Sequence, residues 1–278
     1  MPRLGDLSAL AGRPFAAVLF DNDGTLVDST PAVIRSWVAW ARDYDIDPHL
    51  LGQHHGVPAS GIIAQIAPHL SPGEAEVALA RITAMELADT DGVVALPGAV
   101  DAVAALLPRR CAVVTSATHE LGLARLQAAG IPLPDVVVTF DDVEHGKPHP
   151  DPFLVAAERL GVAAEECLVV EDAPSGLRAA KAAGCATLAL TSTTNVANLD
   201  ATTDADAIVD SLAAVRFSVT TLRCRSRHLD PAGRRGTAPP RAPVEAVQPE
   251  YTRRKLPSSG PGGPRGRGSA AKLPSSGL

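Results

Sequence analysis

Long apolar runs are missing from this 278-residue chain. The longest are near strand length, and the stretch from Ser8 to Phe20 is broken by Arg13-Pro14 before Asp21 follows. A membrane span needs about 20 consecutive apolar residues, so none is read. No signal peptide is read either, and a cytoplasmic location is the expectation. Cations are scarce through most of the chain: residues 1–216 hold 13 Lys and Arg against 28 Asp and Glu, a net charge of −15. Such a body repels phosphate backbones and anionic lipid, which disfavours nucleic-acid and membrane partners and favours a small-molecule role. Cysteine pairs are absent too. Cys111, Cys167, Cys185 and Cys224 form no Cys-x-x-Cys motif, so they read as buried thiols rather than disulfides or metal ligands. No Gly-x-Gly-x-x-Gly follows a strand, and neither a Gly-x-Ser-x-Gly elbow nor a Walker loop occurs. Those absences set aside dinucleotide oxidoreductases, serine hydrolases with a nucleophile elbow and P-loop nucleotidases.

What is present is an alternation. Five short apolar segments, Ala16–Phe20, Cys111–Thr115, Val136–Thr139, Cys167–Val170 and Ala186–Leu190, are apolar on successive residues, as strands covered on both faces must be. Between them Gly98–Leu107, Ser116–Ala129, Asp151–Leu160 and Pro174–Ala183 carry apolar residues at three- and four-residue spacing, and Gly130, Gly161 and Gly184 follow where helices should stop. Strand then helix, repeated, predicts an α/β fold with a doubly wound, parallel, Rossmann-like sheet. The alternation is interrupted once. No strand is read between Asp28 and Leu96; three helical stretches stand there, each announced by a proline (Pro31, Pro58, Pro72). Ser71-Pro72-Gly73-Glu74 has the form of a capping box, and Val33, Ile34, Trp37, Val38 and Ala41 form one apolar stripe. Residues 29–96 are therefore read as an inserted helical cap, and residues 1–28 and 97–216 as the α/β core. The alternative, helices merely covering a sheet face, leaves unexplained why they follow the first strand so closely.

Residues 217–278 reverse the charge, with 12 Lys and Arg against 3 Asp and Glu. Pro and Gly supply 17 of these 62 positions, Phe217 and Tyr251 are the only aromatics, and Lys-Leu-Pro-Ser-Ser-Gly occurs twice. A segment so poor in apolar side chains cannot offset its ordering entropy, so a disordered basic tail is expected. With so few aromatics a nucleic-acid-binding arm is the weaker reading, although the charge permits weak association.

Chemistry gathers where strands end. Phe20-Asp21-Asn22-Asp23-Gly24-Thr25 places two carboxylates two residues apart, on one side if the extended chain continues. Such neighbours repel unless a cation sits between them, and oxygen-only donors beside a phosphate suit Mg²⁺. Taken alone, Asp-x-Asp-Gly is equally an ordinary turn. Val114-Thr115-Ser116 ends a second strand in hydroxyls; Ser116 could meet an anion or simply cap a helix. Gly146-Lys147-Pro148-His149-Pro150-Asp151-Pro152 holds one lysine in a loop stiffened by prolines. Val170-Glu171-Asp172-Ala173-Pro174-Ser175-Gly176 adds two carboxylates at another strand end. Ligands bind beyond the carboxyl ends of strands in open parallel sheets, and all four clusters stand at such ends.

In that order, Asp21-x-Asp23-Gly24-Thr25, Thr115-Ser116, Lys147 before proline and Glu171-Asp172 resemble the four motifs of the haloacid dehalogenase superfamily, over roughly residues 15–216. Glu-Asp-Ala-Pro-Ser-Gly and Gly-Lys-Pro-His-Pro-Asp-Pro are similar to its small-capped sugar and polyol phosphatases, the group that includes β-phosphoglucomutase. The resemblance implies a Mg²⁺-dependent phosphatase acting on a small phosphorylated sugar or polyol. It implies that Asp21 is the nucleophile and Asp23 the acid and base. Mg²⁺ would be held by Asp21, the Asp23 main-chain carbonyl and Asp172. Lys147, Thr115 and Ser116 would hold the transferring oxygens, with Glu171 in the outer shell. A phosphomutase sharing the same aspartyl-phosphate is the alternative, and a catalytically idle binding protein is disfavoured by the intact set. One departure stands in the cap: Gln53-His54-His55-Gly56 is followed by Val57, where the family commonly places a basic residue.

Overall fold

Apolar side chains on consecutive residues need cover on both faces of a strand, and the sheet supplies it. In the computed structural model, which describes residues 2–51, 58–106, 110–192 and 204–217, the strands are β1 (Ala17–Phe20), β2 (Val27–Asp28), β3 (Val94–Ala95), β4 (Cys111–Val114), β5 (Val136–Val138), β6 (Cys167–Glu171), β7 (Ala186–Leu190) and β8 (Ala207–Val209). Six of them form a parallel sheet in the order β5-β4-β1-β6-β7-β8. Counting those six alone, the order is 3-2-1-4-5-6, the doubly wound arrangement whose strand order reverses beside the first strand. The doubly wound α/β fold predicted from the sequence is the observed one.

Alternate residues of each strand serve opposite layers. Val18, Phe20, Val113, Leu168 and Val170 pack with Ala99, Ala102 and Val103 of α4 (Ala99–Ala104) and Leu126 of α5 (His119–Ala128). Ala17, Leu19, Ala112, Val114 and Val169 pack on the other face with Phe153, Ala156 and Ala157 of α6 (Asp151–Leu160) and Ala179 and Ala180 of α7 (Pro174–Ala182). Cys111, Cys167 and Cys185 are free and buried, as the sequence indicated, with thiols that burial pushes up to about 12. Cys224 lies outside the described residues.

Between β2 and β3 the described chain is helical: α1 (Thr30–Asp43), α2 (Ala59–Ile66) and α3 (Pro72–Ala88). These helices have a hydrophobic cluster of their own, built from Trp37, Trp40, Ala41, Ile62, Ile63, Ile66, Ala78 and Ile82. Trp40 is fully buried, donates its indole N–H to the Ala78 carbonyl at 2.9 Å and stacks on Tyr44 with ring centres 4.6 Å apart. The buried stripe is thus rotated from the predicted one: Trp37, Trp40, Ala41 and Tyr44 face inward, whereas Ile34 is 56% exposed. The capping box is present, with Ser71 N–H donating to Glu74 Oε2 at 2.8 Å and Ser71 accepting from the Glu74 amide. Pro58 stands at the N-cap of α2 rather than inside it. The chain enters and leaves the insert through an antiparallel pair, Val27 opposite Ala95 and Asp28 opposite Val94.

Phe217, the first residue of the basic segment, packs edge-on against Phe20 with ring centres 5.8 Å apart. Residues 218–278 lie outside the described residues. No helix among the described residues is long and apolar enough to cross a membrane.

Candidate active site

The carboxyl ends of β1, β4 and β6 are neighbours because the three strands pair. Asp21 follows β1 with its amide donating to the Val170 carbonyl at 3.0 Å, so the nucleophile candidate is held by the sheet itself. Its side chain meets Lys147, whose ammonium donates to Asp21 Oδ1 at 2.6 Å, Glu171 Oε1 at 2.9 Å and the Val114 carbonyl at 3.0 Å. The Lys147 side chain is only 3% exposed, and its ammonium lies 5.2 Å from the Phe153 ring centre. One ammonium therefore joins three strand ends.

Glu171 spans two partners, since its Oε2 accepts the Ala173 amide at 2.5 Å. The carboxylate lies across the start of α7, where a Cβ on residue 176 would meet Glu171 Oε1 at 1.6 Å. Glycine at that position follows from this crossing. Asp172 accepts the Thr25 hydroxyl at 3.2 Å, which ties the end of β6 to the loop after β1. Gly24 lets that loop turn with φ at +89°, while the amides of Thr25, Leu26 and Val27 converge on the Asn22 carbonyl.

Burial, together with the like charges of Glu171 and Asp172, pushes the Asp21 carboxyl well above the usual carboxylate range against the pull of Lys147. Burial disfavours the charged form of Lys147, yet Asp21 and Glu171 outweigh it and raise its pKa. Fully ionised, three acids and one ammonium leave a surplus of two negative charges. Donor oxygens of Asp21, Glu171 and Asp172 all lie within 4.8 Å of one another. A buried, oxygen-only, doubly negative cluster fits a hard divalent cation. A second group, His145, His149 and Asp151, is solvent-facing, and its mixed nitrogen and oxygen donors suit a transition metal instead.

Of the residues singled out in the sequence, Asp21, Lys147 and Glu171 meet directly, and a carboxylate oxygen of Asp172 lies within 4.8 Å of those of Asp21 and Glu171. Thr115 continues β4, its amide donating to the Val138 carbonyl at 2.9 Å, and its hydroxyl accepts the Ala117 amide at 3.1 Å. Ser116 follows it and is not a helix cap; α5 begins later, at His119, with Thr118 as N-cap. Asp23 points elsewhere: its Oδ1 accepts the Ser29 hydroxyl at 2.7 Å and lies 3.1 Å from Arg125 Nη1. Arg125, Glu86 and Ser29 were not anticipated, and Thr25, part of the first motif, had been given no role of its own. Arg125 and Glu86 carry no local signal, each being one charge on an otherwise ordinary helix. The cap residues His54, His55 and Val57 lie outside the described residues.

The profile of haloacid dehalogenase-like hydrolases matches residues 15–184, which contain every group just described. The chain belongs to this family. It is 38% identical to hexitol phosphatase A of Escherichia coli over 200 residues, covering 71% of this chain and 91% of that protein. It is 33% identical to glycerol-1-phosphate phosphohydrolase 2 of Saccharomyces cerevisiae over 189 residues, 64% of this chain and 75% of that one. Among solved structures, CbbY from Rhodobacter sphaeroides in complex with phosphate superposes with a TM-score of 0.57 at 26% identity, covering 72% of this chain and 95% of that one. The family match ends before the basic segment begins.

Proposed function

We propose that this hydrolase is a Mg²⁺-dependent phosphatase that cleaves the phosphate ester of a small sugar or polyol through a phosphorylated Asp21. The observation that supports this reading is the Lys147 ammonium held between Asp21 and Glu171 at the carboxyl edge of the sheet, together with relatives named for hexitol and glycerol phosphates.

Asp21 attacks phosphorus; as the new Asp21–phosphorus bond forms, the ester oxygen leaves with its electron pair and takes a proton from Asp23. Asp23, now a carboxylate, takes a proton from water as that water displaces Asp21 and releases inorganic phosphate. Lys147 lies against the Asp21 carboxylate and offsets the charge on the transferring oxygens, with Thr115 and Ser116 beside it at the end of β4. Glu171 keeps the ammonium in place. The cation would be held by Asp21, Asp172 and the Asp23 main-chain carbonyl. When bound, it supplies positive charge that offsets the repulsion between nucleophile and phosphate. The helical insert, residues 29–96, acts as a cap that covers the site and excludes bulk water during transfer.

The test is phosphate release from hexitol phosphates, glycerol phosphate and β-glucose 1-phosphate, with Mg²⁺ and with chelator, on the wild type and Asp21→Asn. Turnover that requires the cation and falls to background in Asp21→Asn supports the reading. Substantial activity without Asp21 contradicts it. Isomer formation without phosphate release, with a bisphosphate primer present, would instead identify a mutase.

A further inference from the structure

Arg125 is a buried cation, 8% exposed, shared between two parts of the molecule. Its Nη1 lies 3.1 Å from Asp23 Oδ1 and its Nη2 donates to Glu86 Oε1 at 3.0 Å. The two carboxylates come from different places. Asp23 belongs to the loop after β1, whereas Glu86 lies in the last turns of α3, whose Ala78 and Ile82 belong to the insert's own cluster. Arg125 itself is anchored on the sheet side, because its neighbour Leu126 is part of the core beneath β1 and β4. The remaining hydrogen bond to Asp23 Oδ1 comes from Ser29, which stands where the chain enters the insert. Ser29 at the start of the insert directly, and Glu86 of α3 through Arg125, therefore bear on one carboxylate.

We propose that Arg125 and Glu86 are a positioning pair: Glu86 on the insert fixes the guanidinium, and the guanidinium aims the Asp23 carboxylate. This rests on the reading of Asp23 as proton donor given above. A guanidinium presents its donors in a rigid plane, so gripping two carboxylates on separate nitrogens fixes their relative position, which a lysine ammonium does not do. Packing alone needs only the Arg125–Glu86 pair, since the side chains of both are under a tenth exposed. Asp23 is 27% exposed and gains orientation, not burial, from the second contact.

The consequence is specific to one bond. An alkyl ester needs a proton on its departing oxygen, and that proton comes from Asp23 as the phosphorus–oxygen bond breaks. A p-nitrophenyl ester releases a stable phenolate that needs none. Because kcat/KM reports steps through the first irreversible one, it isolates this transfer. Glu86→Gln and Arg125→Lys should lower kcat/KM for glycerol phosphate, or the best hexitol phosphate, by about 10- to 100-fold, the scale of a misplaced catalytic group. With p-nitrophenyl phosphate the same variants should stay within about twofold, whereas Asp23→Asn, which removes the catalytic group itself, should lose activity on both esters and more on the alkyl one. Equal losses on both esters, or no loss on either, would overturn the pairing and leave a purely structural role. A wild type inactive toward both esters with Mg²⁺ would overturn the phosphatase reading, and this inference with it.

Discussion

The sheet layers and the helical insert are built from different materials. The two faces of the sheet are filled mostly by Val, Leu, Ala and Cys, with Phe15, Phe20 and Phe153 as the aromatic residues. The insert holds both tryptophans of the chain, packed against Ile62, Ile63, Ile66 and Ile82. Backbone hydrogen bonds hold the strands at fixed spacing, which is what a site assembled from strand ends requires. An insert folded around indoles is free of that constraint and keeps a core separate from the sheet. The chemistry follows the same division: Asp21, Glu171 and Asp172 stand at the ends of β1 and β6, Lys147 reaches them from the loop before α6, and the insert adds Ser29 and Glu86 to the surroundings of Asp23.

The sharpest way to test this division is to remove a charge on the sheet side. Lys147→Met leaves the Asp21 and Glu171 carboxylates buried without their cation, so stability should fall by about 3–5 kcal/mol in denaturant titration. Turnover should fall by about 10³-fold or more. Retained turnover would remove the ammonium from the account. Next in size is Trp40→Ala, with a cost of about 3–5 kcal/mol confined to the insert. Hydrogen exchange should show protection lost in α1 and α3 while β1, β4 and β6 keep theirs; equal loss in both regions would show that they unfold together.

A smaller effect belongs to Gly176→Ala. The added methyl collides with the Glu171 carboxylate, so about 1–3 kcal/mol should be lost, with a fall in kcat as the prop under Lys147 shifts. Unchanged kinetics would mean that Glu171 is not needed where it stands. The smallest concerns Asp206, at the β8 edge. Burial disfavours its charge, but the Lys181 ammonium at 2.5 Å and the Thr187 amide at 2.9 Å prevail and hold it below the usual carboxylate range. A lowered folded pKa gives stability above the unfolded value that is lost as pH falls through the folded one. Asp206→Asn should therefore lower Tm by about 3 °C near neutral pH, a difference that closes as the pH falls through the folded value. A constant difference across that range would contradict the assignment.

Much of this was legible in the sequence, for reasons that differ by element. Five of the six sheet strands announce themselves because burial demands consecutive apolar residues, and three of the four motifs lie at strand ends, with Lys147 in the loop before α6. β2 and β3 are two residues each, too short for any periodicity, and their pairing is set by the chain crossing into the insert and back. β8 is three residues and was likewise not foreseen. The α1 stripe was misplaced because Ile34 is apolar but exposed, whereas Trp40, outside the predicted stripe, is the centre of the cluster. Arg125 and Glu86 are 39 residues apart on separate helices, and only the packing of α3 against α5 makes them partners.

The central claim is that Asp21, gripped by Lys147 at the edge of the sheet, receives the phosphoryl group. Acid quenching during steady-state turnover of a ³²P-labelled polyol phosphate, followed by peptide mapping, reads it directly. The account predicts a hydroxylamine-labile label on the peptide that contains Asp21, absent in Asp21→Asn. Label on another residue, or labelling of the Asp21→Asn protein equal to the wild type, would contradict it.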